Sequence, residues 1–339
     1  MSNRYLIIAP GRNEAKFMRR TLDSLIAQTV RPALLVVVDD GSTDDTPRIL
    51  AEYAAKHDWI RIVTRKDRGT RSVGPGVIEA FYAGLETVNL DEFDFVCKLD
   101  LDLELPQTYF EGLMRRMDDN PRQGCLSGKA YFPGPSNPEG VFGKELIREA
   151  IGDEVSVGAS KFYRTACFKQ IGGFVRQVMW DGIDCHTARI LGWQVGSTDD
   201  PELRFIHLRP MGSSHGTIWT GRKRHGFGQY FMGTGLLFMT ASAIYRIPRY
   251  PPVIGAIAIY WGYLESALKR VPRYGDAEFR KFLRRYQLES LIFGKARAAQ
   301  RAEARSVRSW NPERAGNLRH APDSVREPRP TVPVLQHSA

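Results

Sequence analysis

Residues 34–46 read LLVVVDDGSTDDT: a run of leucine and valine that passes directly into two carboxylates, a glycine and a string of helix-capping side chains. A continuous apolar run without alternation is the pattern of a strand buried on both faces, as in a parallel sheet. Ser42, Thr43 and the aspartates after them then offer cap chemistry to a helix whose inward face is Ile49, Leu50 and Tyr53. The same unit recurs on either side. YLIIA (5–9) reads as a first strand, and PGRNEAKFMRRTLDSLIAQT (10–29) as a loop entering an amphipathic helix with Leu22, Leu25 and Ile26 inward. Strands over 60–63 and 93–99 and helices over 77–87 and 107–117 extend the pattern. Such alternation predicts an α/β fold, a mostly parallel sheet with right-handed crossovers flanked by helices.

Ligands of open sheets collect at the carboxyl ends of the strands, and acidic residues recur at those ends here. Asp39 and Asp40 follow the second strand, Asp100 and Asp102 lie in KLDLDLELP (98–106), and Asp181 follows GGFVRQVMW (172–180). Carboxylates gathered in one crevice repel one another unless a metal, a proton or a donor-rich ligand offsets their charge. The set points to a metal-bound, phosphate-bearing substrate.

The chain has 339 residues, 42% of them hydrophobic, enough for one large α/β domain and an appendage. Cys97, Cys125, Cys167 and Cys185 are scattered, with no CxxC pair, which fits buried thiols in a reducing compartment rather than zinc or disulfides. The N-terminal apolar run is too short for a signal peptide, so no export is expected. Net charge is +10 and uneven: basic residues well outnumber acidic ones over 269–314. No basic and aromatic module of a nucleic-acid-binding type is present.

That basic stretch follows two apolar runs, GFGQYFMGTGLLFMTASAIY (226–245) and YPPVIGAIAIYWGYL (250–264). About 20 strongly apolar residues are needed to cross a bilayer, and the first run is diluted by Gly, Thr, Ser and Gln. Helices lying in one leaflet are therefore expected, with Tyr260, Trp261 and Tyr263 beside Lys269 and Arg270 as an interfacial anchor. Two ordinary core helices are the alternative. The polar, Pro-rich end is expected to be disordered. This divides the chain into an α/β domain (1–225), a helical membrane-associating region (226–314) and a tail (315–339).

PGRNEA, VVVDDGSTDDT, KLDLDLELP, and GGF followed by WDGIDCHTARILGW resemble, in this order and spacing, the family 2 glycosyltransferases of the GT-A fold. The resemblance covers about residues 5–226. It implies inverting transfer from a nucleotide-diphosphate sugar and a divalent metal, Mg or Mn. By resemblance, Asp39 accepts from a nucleobase N–H beside Asp40, and Asn13 and Glu14 lie near the nucleoside in a loop shaped by Pro10. A turn and helix cap is the plainer reading of Asp39 and Asp40. Asp102 corresponds to the metal ligand, Asp100 to a ribose or metal-water contact, and His207 to the third ligand of some relatives, although a lone His is often structural.

Asp181 corresponds to the catalytic base, with Gly192 at the spacing of the glycine that ends the next helix. Trp180 departs from the family, which usually has an acidic residue there; it would desolvate Asp181 or stack on a sugar. Asp184 is the rival base. In RKDRGTRSVGPG (65–76), Arg71 and secondarily Lys66 and Arg68 suit a diphosphate. The processive QxxRW motif is absent from HGTIWTGRKRHGFGQY (215–230), which favours addition of one sugar. Trp219, Arg222 and Arg224 are candidates for the diphosphate or a phosphorylated acceptor, with a solvated basic loop as the alternative.

The expectation is a hexosyltransferase at the cytoplasmic membrane face, peripheral or monotopic on the inner leaflet. Its acceptor would be polyprenyl-linked or another lipid in surface-polysaccharide or glycolipid synthesis, with no nucleic-acid partner. A nucleotidyltransferase and a non-catalytic membrane scaffold are the rivals; GRNEA is a poor activating loop for the first.

Overall fold

The computed structural model describes residues 4–67, 75–209, 218–248, 251–275 and 277–318. The first half follows the alternating pattern. Strands β1 (Tyr5–Gly11), β2 (Leu34–Asp39), β3 (Ile60–Thr64) and β4 (Phe95–Leu99) are joined through helices α1 (Met18–Ile26), α2 (Thr46–Ala54) and α3 (Pro75–Leu85). A two-residue β5 (Leu103–Glu104) and helix α4 (Tyr109–Asp119) follow. The second half is β6 (Gln123–Gly128), β7 (Ala130–Pro133), β8 (Leu146–Arg148), β9 (Ser160–Arg164), α5 (Thr165–Gln170), α6 (Trp180–Ile190), β10 (Gln194–Thr198) and β11 (Phe205–His207).

The main sheet has the order β10-β6-β9-β4-β1-β2-β3, and a small sheet has the order β5-β11-β7-β8. β1 pairs in parallel with β2 and β4, β2 with β3, and β6 with β10. β9 runs antiparallel to both β4 and β6, so the sheet is mixed. Between β6 and β9 the chain forms only β7, β8 and loops. Without a helix to return the chain to the starting edge, the next strand runs the opposite way.

Alternate residues of the central strands feed two different cores, which explains the unbroken apolar runs. Ile7, Val37 and Cys97 face α1, α2 and α4, with Leu22, Leu25, Ile49 and Phe110. Ile8, Val36 and Val96 face the other side, with Phe81, Phe168 and Trp193. Ile26, expected inward, is an exposed residue at the end of α1.

Five α-helices follow, α7 (Ile218–Met232), α8 (Leu236–Arg246), α9 (Ile254–Leu268), α10 (Ala277–Phe293) and α11 (Lys295–Arg305), and then a short 3-10 turn at Val307–Ser309. Gly233, at φ 94°, breaks the first apolar run into α7 and α8. α9 has 15 residues and is about 22 Å long at 1.5 Å per residue. No described helix is long and apolar enough to cross a membrane. α7 and α9 touch backbone to backbone: a Cβ on Gly226 would lie 1.9 Å from the Ile259 carbonyl oxygen, and one on Gly262 would lie 2.1 Å from that of Lys223.

The division drawn at residue 226 needs correction. α7 starts earlier, and the C-terminal helices share a core with α6, in which Ile183 packs with Phe231, Met232, Phe279 and Leu283. Arg189 of α6 pairs with Glu303 of α11 at 3.0 Å. The tail boundary also moves. The Gln170 amide donates to the carbonyls of Asn311, Pro312 and Arg314, and Leu318 packs on the second core, so apolar Trp310 and Leu318 hold the chain past residue 315. Residues 319–339 of the expected tail lie outside the described residues.

Of the expected aromatic anchor, only Trp261 points outward. Tyr263 is buried and donates to the Thr234 carbonyl at 2.8 Å, while Tyr260 is half-buried against Thr240. The outward stripe of α9 is instead Ile254, Ile257, Trp261 and Leu268, the last two 48% and 77% exposed.

Candidate active site

Pairing Gly11 with Asp39 and Ile8 with Lys98 brings the carboxyl ends of β1, β2 and β4 level. Above them opens a cavity of about 540 Å³ bordered by Pro10, Glu14, Asp40, Asp100, Asp102 and, from α6, Asp181. On one wall, Asp102 is buried and its Oδ2 accepts from Arg209 Nε at 2.8 Å. The other arm of Arg209 donates to both Glu14 oxygens, at 3.0 and 3.1 Å. His207 places Nε2 3.6 Å from Asp102 Oδ2 and hydrogen-bonds Glu149 Oε1 through Nδ1 at 2.9 Å. Burial works to raise Asp102, but His207 and Arg209 outweigh it and hold the carboxyl at about 2. Burial works to lower His207, and the two carboxylates outweigh it, pushing the imidazole up to about 10.

Among the described residues, Asp102 Oδ1 and Glu149 Oε2 are buried without a hydrogen-bond partner. An unpaired carboxylate oxygen beside an imidazole nitrogen suits a hard divalent ion such as Mg or Mn. Glu149 stands where a carboxylate orients a metal-binding histidine through its far nitrogen. Among the described residues, no three His, Cys, Asp or Glu side chains converge as a complete ligand set. The residues therefore fit an ion that draws on Asp102 and His207 and takes its other ligands from phosphate oxygens and water.

On the opposite wall, Met179 adopts φ 65° and starts α6. Its successor Trp180 borders the cavity, but the ring packs edge-on against Phe174 at 4.8 Å, with Lys98 and Lys161 at 5.3 and 5.5 Å. At 8% exposure it desolvates its neighbour and is too enclosed to stack on a sugar. Asp181 opens to solvent yet lies deep among protein atoms across from Gly158, where a Cβ would sit 3.3 Å from Asp181 Oδ2. Desolvation by the walls raises its carboxyl, opposed by Lys161 and reinforced by Asp184. Asp184 itself is buried behind the cavity, bonded to Lys161 and to the Tyr163 hydroxyl. That leaves Asp181 as the carboxylate an incoming group can reach.

The remaining sequence candidates divide. Asp39 is not among the cavity's described lining; its Oδ1 accepts the Ser42 N–H at 2.9 Å, closing the turn before α2. Asp40 borders the cavity and pairs with Arg65 at 2.8 Å. Exposed Asn13, at φ 56°, accepts from Thr43 N–H at 2.8 Å and so pins the β1 loop to the β2 loop. Asp100 pairs with the buried Lys98, which also donates to the Gly158 carbonyl at 2.9 Å. Trp219 is exposed on the first turn of α7, and neither it nor Arg222 borders the cavity. Arg68 and Arg71 lie outside the described residues.

Sequence reasoning missed Arg209, Glu149, Lys98, Lys161 and Lys295. Arg209 stands two residues beyond His207, a spacing that puts both on one side of an extended segment. Lys98 stands inside KLDLD. Glu149 comes from a loop without periodicity and carries no such signal.

Residues 6–156 match the family model described as Glycosyl transferase family 2. Chondroitin synthase of Escherichia coli is 36% identical over 93 residues, 26% of this chain and 13% of that protein. Glycosyltransferase GlyA of Streptococcus pneumoniae serotype 4 is 28% identical over 162 residues, 48% of this chain and 21% of that protein. The chain thus spans well under a third of either relative. Among solved structures, GalNAc-T7 with UDP, GalNAc and Mn²⁺ superposes with a TM-score of 0.54 at 13% identity, covering 82% of this chain and 53% of that one. That likeness is one of fold.

Proposed function

Taking as premise that residues 6–156 belong to glycosyl transferase family 2, we propose that this transferase moves one sugar, with inversion, from a nucleotide-diphosphate donor to an acceptor hydroxyl at a membrane surface. The observation that carries the reading is that Asp102, with its unpaired buried oxygen, and the desolvated Asp181 border one cavity at the strand ends.

Asp181 takes the proton of the acceptor hydroxyl as that oxygen attacks the anomeric carbon. A glycosidic C–O bond forms and the C–O bond to the diphosphate breaks on the opposite face, with the electron pair leaving on the diphosphate. A raised carboxyl pKa brings the base closer to the proton affinity such a transfer needs. Asp102 and His207 would hold a divalent ion, Mg or Mn, which when bound supplies positive charge to the leaving diphosphate. Glu149 fixes the His207 tautomer by its bond to Nδ1. Pro10, Glu14 and Asp40 form the nucleotide side, braced by the Asn13 and Asp39 turns. Arg209 balances the charges of Glu14 and Asp102.

Support for the membrane comes from the outward apolar stripe of α9 beside Lys269 and Arg270. With that surface goes our reading of a cytoplasmic, inner-leaflet position and a lipid-linked acceptor of surface-polysaccharide or glycolipid synthesis. The test is nucleoside diphosphate release from a donor panel with Mn or Mg and a lipid extract. Wild type is expected to release product from one donor class. Asp181→Asn should keep donor affinity and lose about 10²–10⁴ in turnover. No release from any donor would leave a scaffold.

A further inference from the structure

We propose that Arg209 competes with the divalent ion for Asp102 and gives way when a nucleoside diphosphate reaches the cavity, so that metal and donor bind cooperatively through this one side chain. This rests on the transferase reading above. The Leu208 N–H donates to the Asp102 carbonyl at 2.8 Å, which ties the chain just past β11 to the backbone of Asp102 and sets Arg209 beside the carboxylate of that same residue. Nε and Nη2 of Arg209 lie 2.8 and 2.7 Å from Asp102 Oδ2. Nη2 also reaches both Glu14 oxygens, so its two protons face three acceptors, while Nη1 makes no hydrogen bond among the described residues. The Arg209 side chain is 22% exposed, whereas those of Glu14 and Asp102 are 4% and 5%. A partly exposed guanidinium thus caps two buried carboxylates and keeps one edge open at the border of the cavity.

The ion proposed above would draw on Asp102 Oδ1 and His207, and would therefore share a single carboxylate with the guanidinium on Oδ2. Two cations on one buried carboxylate repel each other with little water between them to screen the charge. Arginine cannot relieve that conflict by losing a proton, because its guanidinium stays charged at any ordinary pH. It can relieve it by moving, or by meeting a further anion. A diphosphate supplies that anion, since its oxygens match the fork of guanidinium donors and Nη1 is open to take the first of them. As the guanidinium turns to phosphate, less of its charge rests on Asp102 and the ion is held more tightly.

Other cations on the cavity wall are engaged elsewhere. Arg12 pairs with Asp67 at 2.6 Å and donates to the Asp40 carbonyl at 3.0 Å, and Lys98 pairs with Asp100 and donates to the Gly158 carbonyl. Arg209 instead rests on the carboxylate that the ion needs. By linkage, whatever factor the diphosphate adds to metal affinity, the metal adds to diphosphate affinity.

The test is Mn²⁺ binding to the full chain at one fixed pH, read from the electron paramagnetic resonance signal of free Mn²⁺, alone and with UDP, GDP, UMP or GMP. Wild type is expected to bind Mn²⁺ about tenfold or more tightly with one of the diphosphates than alone, and to respond little to its monophosphate. Arg209→Gln should bind Mn²⁺ alone about tenfold more tightly than wild type, and the further gain from the diphosphate should shrink by the same factor. Arg209→Lys, which keeps the charge, should bind Mn²⁺ alone as weakly as wild type. Glu14→Gln with Arg209→Gln, which strands no carboxylate at Glu14, should fold as wild type by circular dichroism and still bind Mn²⁺ alone more tightly. A merely structural role for Arg209 predicts the opposite sign, because a damaged site binds the ion less well. Mn²⁺ affinity that is unchanged or weaker in both glutamine variants would overturn the proposal, as would a diphosphate gain of wild-type size in Arg209→Gln. A wild type whose Mn²⁺ affinity no nucleotide alters, beside an Arg209→Gln variant that still binds the ion more tightly, would sink the nucleotide-donor reading and leave the competition for Asp102 standing.

Discussion

Replacing Lys161 by methionine is expected to destabilise the protein by about 3–5 kcal/mol, the range for stranding one member of a buried ion pair. Lys161 and Asp184 side chains are 0% and 1% exposed, and the Lys161 ammonium also donates to the Asp181 carbonyl at 2.8 Å. Burial works to lower Lys161, but Asp184, Cys185, Cys125 and Asp181 outweigh it and hold the ammonium in its charged form. Without the ammonium, the Asp184 carboxylate keeps, among the described residues, only the Tyr163 hydroxyl and the Cys185 N–H, at 2.5 Å, as donors. Removing both charges with Lys161→Met and Asp184→Leu should recover most of the loss, giving a coupling of roughly 3 kcal/mol in a double-mutant cycle of urea unfolding. The recovered double variant is the informative enzyme. It lacks the bond that holds the first turn of α6, so kcat should fall about tenfold, a cost of about 1.4 kcal/mol, with donor KM unchanged. Single variants within about 1 kcal/mol of wild type, or a double variant no more stable than the singles, would refute the reasoning.

Glu149→Gln should weaken Mn²⁺ binding about 10- to 100-fold through misorientation of His207, read by the electron paramagnetic resonance signal of free Mn²⁺. Unchanged affinity would remove Glu149 from the site. Asp181→Asn should melt at a higher temperature than wild type at pH 7. The raised carboxyl pKa means the folded state binds the proton more readily than the unfolded chain, so wild type loses stability as pH rises from the ordinary carboxylate value through the folded one. The gap should open across that window and stay constant above it; a gap that widens toward acid pH contradicts the assignment. Ile257→Glu with Trp261→Glu should abolish co-sedimentation with phosphatidylglycerol vesicles while leaving the melting temperature within about 2 °C, because both side chains face outward.

What was legible in the sequence is what period and strand ends encode. β1 to β4 and their helices follow from apolar runs that serve two cores, and Asp102 follows from a carboxylate at the end of such a run; Asp181, expected at a strand end, instead stands on the first turn of α6 behind a loop. Gly192 was readable because a helix end needs a positive φ: it sits at φ 88°, and a Cβ there would lie 2.5 Å from Trp310 N. The antiparallel direction of β9 was not readable, since pairing direction depends on how the chain travels between strands. Nor was the His207–Glu149 bond, which spans 58 positions and joins a short strand to an irregular loop. Composition gave the outward character of α9 but not its phase, which is why Tyr263 was assigned to the surface and found in the core.

The phase of these helices also decides how membrane association has to be tested. On the sequence alone, cutting the chain after Phe227 looks like a clean removal of the apolar region. In the fold it is not, because α6 carries Asp181 at its start, Ile183 in the cluster formed with Phe231, Phe279 and Leu283, and Arg189 at its end against Glu303. Truncation would expose that cluster and leave Arg189, which is fully buried, without its carboxylate partner. A truncated chain that left the membrane fraction would therefore also have lost the support of its base, and loss of activity would carry no information about lipid. Substitutions on the outward stripe separate the two, since they alter the surface that meets the bilayer and leave every contact to α6 in place.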